Sequence, residues 1–274
     1  MKGLIDFLNI LLPVLYITTF IFYYIDFMKA RKAVASAKRL LLFLTLIFHL
    51  FYLLLRTLYF EHPPITNVFE IFTVLAFAVG FSYFILELLT DVRGTGLFII
   101  IISILFQLIS SFYIQDLVAV KDVLKSNLLG IHVFSALLGY SAITISAVYG
   151  FLYLILYKEI KLNKFGLIFN RLPSLEVLEV LSFYSAVIGF ILLTFAIIIG
   201  IIWLPKAFPD FSYLDPKLIG TSMVWILYGT GIATKVFGKW RGKKVVTLSI
   251  IGFVLAIAST MLTNFLAQSF HSFY

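Results

Sequence analysis

The chain has 274 residues, 62% of them hydrophobic and only 12% charged, with a mean hydropathy of +1.09. A soluble domain carries roughly a quarter charged residues to face water, so no stretch of this sequence reads as one. The net charge of +8 does not point to nucleic acid, because the basic residues sit in short clusters between apolar runs, as loops beside anionic lipid headgroups do. The absence of cysteine excludes disulfides, thiolate ligation and cysteine nucleophiles.

The apolar runs are about twenty residues long, the length at which a helix crosses ~30 Å of hydrocarbon. They lack the strict alternation of barrel strands. The expected fold is all-α: one transmembrane helical domain over 1–274, an integral membrane bundle of about eight helices. The first helix is expected over 4–27, a full-length run with no small-residue cleavage site, hence a retained span rather than a signal peptide. A basic connection, Lys29–Arg39, leads to helices over 40–60 and 68–90, which are joined by the short segment 61–67. Asp91–Gly94 turns the chain into a helix over 95–114, and 115–127 leads to the next, over 128–157. That one is longer than a bilayer requires and is expected to tilt or project. Lys158–Arg171 connects to a helix over 177–203. Segment 204–216 holds Pro205, Pro209 and Pro216 and is expected to be a loop, since proline cannot extend a helix interior. The last two helices are placed at 217–237 and 245–270, around the basic Lys235–Lys244.

Fifteen of the 21 Lys and Arg fall in the four connections on one side, and five lie on the other, with Arg56 inside a helix. Positive charge marks the cytoplasmic side, so both termini are expected outside, in a multi-pass protein of the cytoplasmic membrane. A reporter active only outside the cytoplasm should give signal when fused after Tyr274 and none when fused within 158–171. The reverse pattern refutes the orientation.

Of the four histidines, His62, His132 and His271 fall at the expected outer surface, and His49 lies near mid-bilayer. Imidazoles from two helices can hold a haem iron from both sides, yet histidine is also tolerated at interfaces, where it bonds headgroups or water. A polar group at mid-bilayer needs a partner or a cavity. Arg56 stands two turns beyond His49 on nearly the same face, and Glu70 sits near the top of the third helix. These residues suggest an inward polar seam, either structural or functional, and Arg56 is expected to find Glu70 or Glu61. No phosphate-binding glycine loop, HExxH or GxSxG motif is present, so no catalytic activity of its own is expected. Asp210 and Asp215, among prolines and aromatics, read as turn residues. The nearby aromatics read equally as an interfacial belt or as a platform for a flat apolar ligand.

Several strings resemble the CcsA/CcmC/HemX family of cytochrome c assembly membrane proteins. Glu61-His62-Pro63-Pro64-Ile65-Thr66-Asn67-Val68-Phe69-Glu70 is similar to that family's outer loop and helix start. Gly130-Ile131-His132-Val133 with Leu138-Gly139-Tyr140 resembles the first external histidine at a helix top, and His271-Ser272-Phe273-Tyr274 the second. Asp215-Pro216-Lys217, with Trp225 and Tyr228 downstream, looks like the end of the tryptophan-rich haem-presenting segment. That segment departs from the pattern: Leu214 stands where Trp is expected and Leu218 where Glu is, and Ala233 takes the place of the buried histidine of longer synthases. Trp240-Arg241-Gly242-Lys243-Lys244 and Leu172-Pro173-Ser174-Leu175-Glu176 look more like the HemX/YpjD branch.

The resemblance implies haem as cofactor, held at the outer face by His132 and His271 as iron ligands. It implies that Trp203, Phe208, Phe211 and Tyr213 border the macrocycle, beside Asp215. The expected partners are haem, membrane lipids, and another cytochrome c maturation protein or a haem-synthesis enzyme. A regulator of haem synthesis, a small-anion transporter using the His49–Arg56–Glu70 seam, and a scaffold remain as alternatives.

Overall fold

The computed structural model describes residues 1–29, 32–116, 120, 122–207 and 212–265. Among them the chain is helical, with no strand: α1 (Lys2–Lys29), α2 (Lys32–Phe60), α3 (Val68–Thr90), α4 (Gly96–Tyr113), α5 (Asn127–Lys161), the five-residue α6 (Leu167–Arg171), α7 (Leu175–Ala207), α8 (Pro216–Val236) and α9 (Lys243–Phe265). A 3₁₀ turn, Asp122–Lys125, precedes α5. Seven of these helices are long and apolar enough to cross a membrane. α8 is long enough but less apolar, with Lys217 and Lys235 near its ends. The chain is a multi-pass helical membrane protein.

Two expected boundaries move, each for a physical reason. Lys29–Arg39 is not a connection throughout, because α2 begins at Lys32 and carries Lys38 into the bundle, where Asp26 neutralises it at 2.7 Å. Pro205 does not start a loop; it lies in the last turn of α7, where its missing N–H leaves the Ile201 carbonyl without a helical partner and the helix ends two residues later. Pro216 instead opens α8 at its first turn, the position proline favours, behind Asp215, whose Oδ1 accepts from the Lys217 N–H at 2.9 Å.

The chain forms two compact units. The first comprises Met1–Gly130 and Phe165–Pro173. In it α1 packs on α2 and α4, and α3 packs on α2 and α4, so the four helices close a ring. Pro13 lies inside α1 and has no N–H to give the Asn9 carbonyl. The Ser111 hydroxyl of α4 donates to that carbonyl at 2.9 Å, and Asn9 Nδ2 donates back to Ser111 O at 3.1 Å. The helix break thus becomes a two-way stitch between α1 and α4. α3 is capped by Asn67, which accepts the Glu70 N–H at 2.9 Å. At its other end Arg39 grips Asp91 at 2.6 Å, and this hydrogen bond, with Arg93 alongside, holds the Asp91 carboxyl below its ordinary range.

The second unit comprises Ile131–Lys164 and Ser174–Tyr274. α5 and α7 run antiparallel at close approach. A Cβ on Gly139 would sit 3.0 Å from Leu193 Cγ, one on Gly189 would sit 2.8 Å from Ile143 Cγ1, and the Ser146 hydroxyl donates to Ser182 O at 2.7 Å. α5 also meets α9, with Gly150 against Val246 and Ile250. α8 packs on α7 through Trp225, whose ring stacks on Phe190 at 5.0 Å while its Nε1 donates to Thr194 at 2.7 Å. It packs on α9 through Tyr228, whose hydroxyl donates to Ser249 O at 2.9 Å. The α8–α9 connection is tied to α7 by Glu179, which pairs with Lys235 and accepts the Gly242 N–H at 2.7 Å.

Candidate functional site

The second unit presents one histidine with a defined chemical state. His132 is half-buried in the second turn of α5, and its Nδ1 lies 2.8 Å from the Ala196 carbonyl of α7. A carbonyl only accepts, so Nδ1 carries the hydrogen and Nε2 keeps its lone pair. Metal-binding histidines are commonly oriented in this way, with one ring N–H given to a backbone carbonyl and the other nitrogen turned to the metal. Gly200, one turn beyond Ala196, gives the ring its room: a Cβ there would come within 3.1 Å of His132 Cε1. Lys217 of α8 is near enough to bear electrostatically on His132.

The other residues expected around haem fall into separate groups. Trp203 is half-buried three residues after Gly200 on α7, and Tyr213 is exposed before α8. Asp215 is buried and spends one oxygen capping α8. Trp225 and Tyr228, from the string that resembles a haem-presenting segment, are absorbed into packing between helices. His271, Phe208 and Phe211 lie outside the described residues. Among the described residues, no group of three or more His, Asp or Glu is arranged to hold a metal ion.

The first unit gathers a second set of polar groups along its interior. His49 is completely buried, with Tyr16 OH 2.9 Å from Nδ1 and Thr73 Oγ1 2.9 Å from Nε2. Thr73 gives its only hydrogen to Gln107 Oε1 at 2.8 Å, so His49 donates at Nε2 and receives the Tyr16 hydroxyl at Nδ1. Both nitrogens are thus taken up inside the seam in which the sequence placed His49. Gln107 continues to Ser111 at 2.9 Å, and Tyr52 donates to Asn9 Oδ1 at 3.2 Å.

Ion groups flank this chain at both ends. Arg56 binds Glu70 at 2.8 Å and Asp116 at 3.0 Å, and Lys2 approaches Asp116 at 3.7 Å. Glu70 also accepts from Thr66 N at 2.8 Å and Thr66 Oγ1 at 2.7 Å, which fixes the segment before α3. Glu61, the other acid considered for Arg56, is exposed in a left-handed turn at φ 60°. His62 is buried and gives its Nδ1 hydrogen to Pro63 O at 3.0 Å. At the far end Lys38 lies 2.7 Å from Asp26 and 3.3 Å from Glu87, and Tyr23 donates to Glu87 at 2.5 Å.

Sequence reasoning missed Asp116, Gln107, Tyr16 and the Lys38 group. The spacing Lys38, Thr45, His49, Tyr52, Arg56 places all five on one face of α2, and that signal was available. Asp116 lies in coil just beyond α4, where no periodicity points to it.

Comparison with known proteins bears on the whole chain. The profile described as cytochrome C assembly protein matches residues 34–271. The cytochrome c biogenesis protein CcsA of Mesostigma viride is 27% identical, covering 81% of each chain. CcsA of Guillardia theta is 28% identical, over 77% of this chain and 76% of its own. Protein HemX of Bacillus subtilis is 26% identical over 95% of both. The matched span runs from α2 past the end of α9 and takes in every helix after the first. With a profile covering most of its length and relatives matched over most of theirs, the chain belongs to the cytochrome c assembly protein family.

Proposed function

We propose that this protein holds haem at the outer face of the cytoplasmic membrane and presents it for cytochrome c assembly, with His132 and His271 as the iron's axial ligands. The observation that carries the reading is the His132–Ala196 hydrogen bond, which leaves Nε2 unprotonated. Relatives named for cytochrome c biogenesis supply the functional class. Trp203 and Tyr213 offer apolar surface to the ring's edge, and Lys217 offers a cation to a propionate. α5 and α9 meet at Gly150 and Val246, about five turns along α5 from His132. Haem, when bound, supplies the reactive porphyrin edge, and the thiols that join it belong to the apocytochrome, so a chain without cysteine suits a presenter.

The visible spectrum of the purified protein tests the proposal. Wild type should carry a six-coordinate haem spectrum. His132→Ala and His271→Ala should each leave weakly held haem whose parent spectrum returns on adding imidazole, and the double variant should bind none. If both single variants keep the parent spectrum, the ligand assignment is wrong.

A second reading is favoured by the HemX match, which covers 95% of both chains against 81% for a CcsA. In it the bound haem serves as a signal to haem synthesis through the basic connections. Deletion separates the two: loss of mature cytochrome c supports the presenter, and altered haem-precursor levels with normal cytochrome c support the regulator.

A further inference from the structure

Four helices of the first unit bury far more polarity than their fold requires. Lys38 and Arg56, on one face of α2, are separated by five full turns, close to the thickness of the hydrocarbon core. Between them every turn carries a hydrogen-bonding group: Tyr23 on Glu87, then Tyr16, His49, Thr73, Gln107, Ser111, Asn9 and Tyr52, up to Arg56 and Asp116. An apolar core of the same shape would be no less stable, since buried ionic groups rarely gain over hydrophobic packing. Ionisable groups inside a membrane protein mark ion or proton routes by default.

Two gaps in this column are framed by buried hydroxyls that bond nothing: Ser103 Oγ and Ser110 Oγ, both of α4 and both fully buried. Ser103 has a specific setting. A methyl added at Gly80 would lie 3.4 Å from the Tyr16 hydroxyl, 3.6 Å from Ser103 Oγ and 3.3 Å from Leu46 Cδ2. The hydrogen at Gly80 therefore leaves a small space bounded by two hydroxyls, one of them unpaired, which is the setting an internal water occupies. Ser110 stands one turn beyond Gln107 on the same helix, where a second water carries the proton from Thr73 past the amides of Gln107 and Asn9, groups that do not relay protons.

We propose that the first unit is a proton path across the membrane, completed by internal water at the Gly80 notch and beside Ser110. In each transfer a hydroxyl, water or imidazole receives a proton on one lone pair and releases the one it held. His49 takes a proton at Nδ1 from Tyr16 and gives its Nε2 proton to Thr73, leaving the other tautomer, and it returns by rotation of the ring. One proton enters at the Lys38–Asp26–Glu87 end for each that leaves at the Arg56–Asp116 end, or the reverse. The path uses no residue of the second unit, so it stands or falls apart from haem binding.

The test is proton flux into phosphatidylcholine vesicles containing the full-length protein, read by an enclosed pH dye after a potassium–valinomycin potential is imposed. Wild-type vesicles should change pH several-fold faster than protein-free ones. Gly80→Ala fills the notch, with Leu46 Cδ2 at 3.3 Å giving by a few tenths of an ångström, and Thr73→Val removes the relay hydroxyl at nearly constant volume. Each should return the rate to near the protein-free level, while Gly3→Ala, with open space around it, should conduct as wild type. Unchanged far-UV circular dichroism and monodisperse elution identify folded variants, and Ser103→Ala provides a third, milder one. Wild-type flux no faster than protein-free vesicles overturns the proposal, and so does undiminished flux in folded Gly80→Ala and Thr73→Val.

Discussion

Replacing Arg56 with Met should destabilise the protein by about 3–5 kcal/mol, the cost of leaving a buried carboxylate without its cation. Glu70 is fully buried and Arg56 nearly so, hence water cannot take over the missing charge. The two remaining Glu70 contacts, both from Thr66, are neutral donors. Asp116 suffers less, because its side chain is 29% exposed and Lys2 is close by. The same argument predicts coupling: Arg56→Met with Glu70→Gln should be more stable than Arg56→Met alone, since the stranded charge goes with the second change. Reversible unfolding of the purified protein in mixed micelles measures all three. If the double variant loses as much as the two single changes added together, the pair does not act as a unit and the account of that end is wrong.

The second large effect comes from the smallest substitution available. Gly96 opens α4 at a point where a Cβ would lie 2.3 Å from Tyr23 Cε1 and 2.4 Å from the Tyr83 hydroxyl. Both rings are buried and meet edge to face at 5.9 Å, so neither has space to withdraw. Gly96→Ala must push Tyr23 aside and with it the hydrogen bond to Glu87. Overpacking of this kind costs about 1–3 kcal/mol, and a buried acceptor that loses its donor adds roughly the same again. Thermal denaturation followed by tryptophan fluorescence should show a fall of many degrees. Gly3→Ala, at an exposed helical position, should be neutral or slightly stabilising. Equal melting temperatures for the two variants rule this out.

These two predictions show what the sequence did and did not disclose. The helices were legible because lipid imposes a length and a composition on each span, and eight long ones stand close to their expected ranges. The start of α2 was misplaced because a lysine in a helix end reads as a loop residue until its acid is found, and Asp26 lies on another helix. Proline at 205 misled similarly, since it ends α7 two residues after itself and not before. On α2, His49 and Arg56 drew attention as polar residues in an apolar run, whereas their partners Tyr16, Thr73 and Gln107 are ordinary residues in spans and acquire meaning only by facing them. Gly96 is one of 16 glycines, and nothing local separates it from Gly3. The state of His132 was not legible either, because the carbonyl that fixes it belongs to Ala196, whose side chain takes no part.

The placement of α2's two buried cations sets an order for biosynthesis. Lys38 meets Asp26, twelve residues upstream, so that charge is matched when the first hairpin leaves the ribosome. Arg56 has no such advance partner. Glu70 lies 14 residues downstream and Asp116 60 residues downstream, so the second hairpin must be synthesised before the guanidinium is enclosed. A helix with an unmatched arginine is costly to release into hydrocarbon, so the first hairpin should leave the insertion machinery only after α3 and α4 emerge, the four helices entering the bilayer as one group.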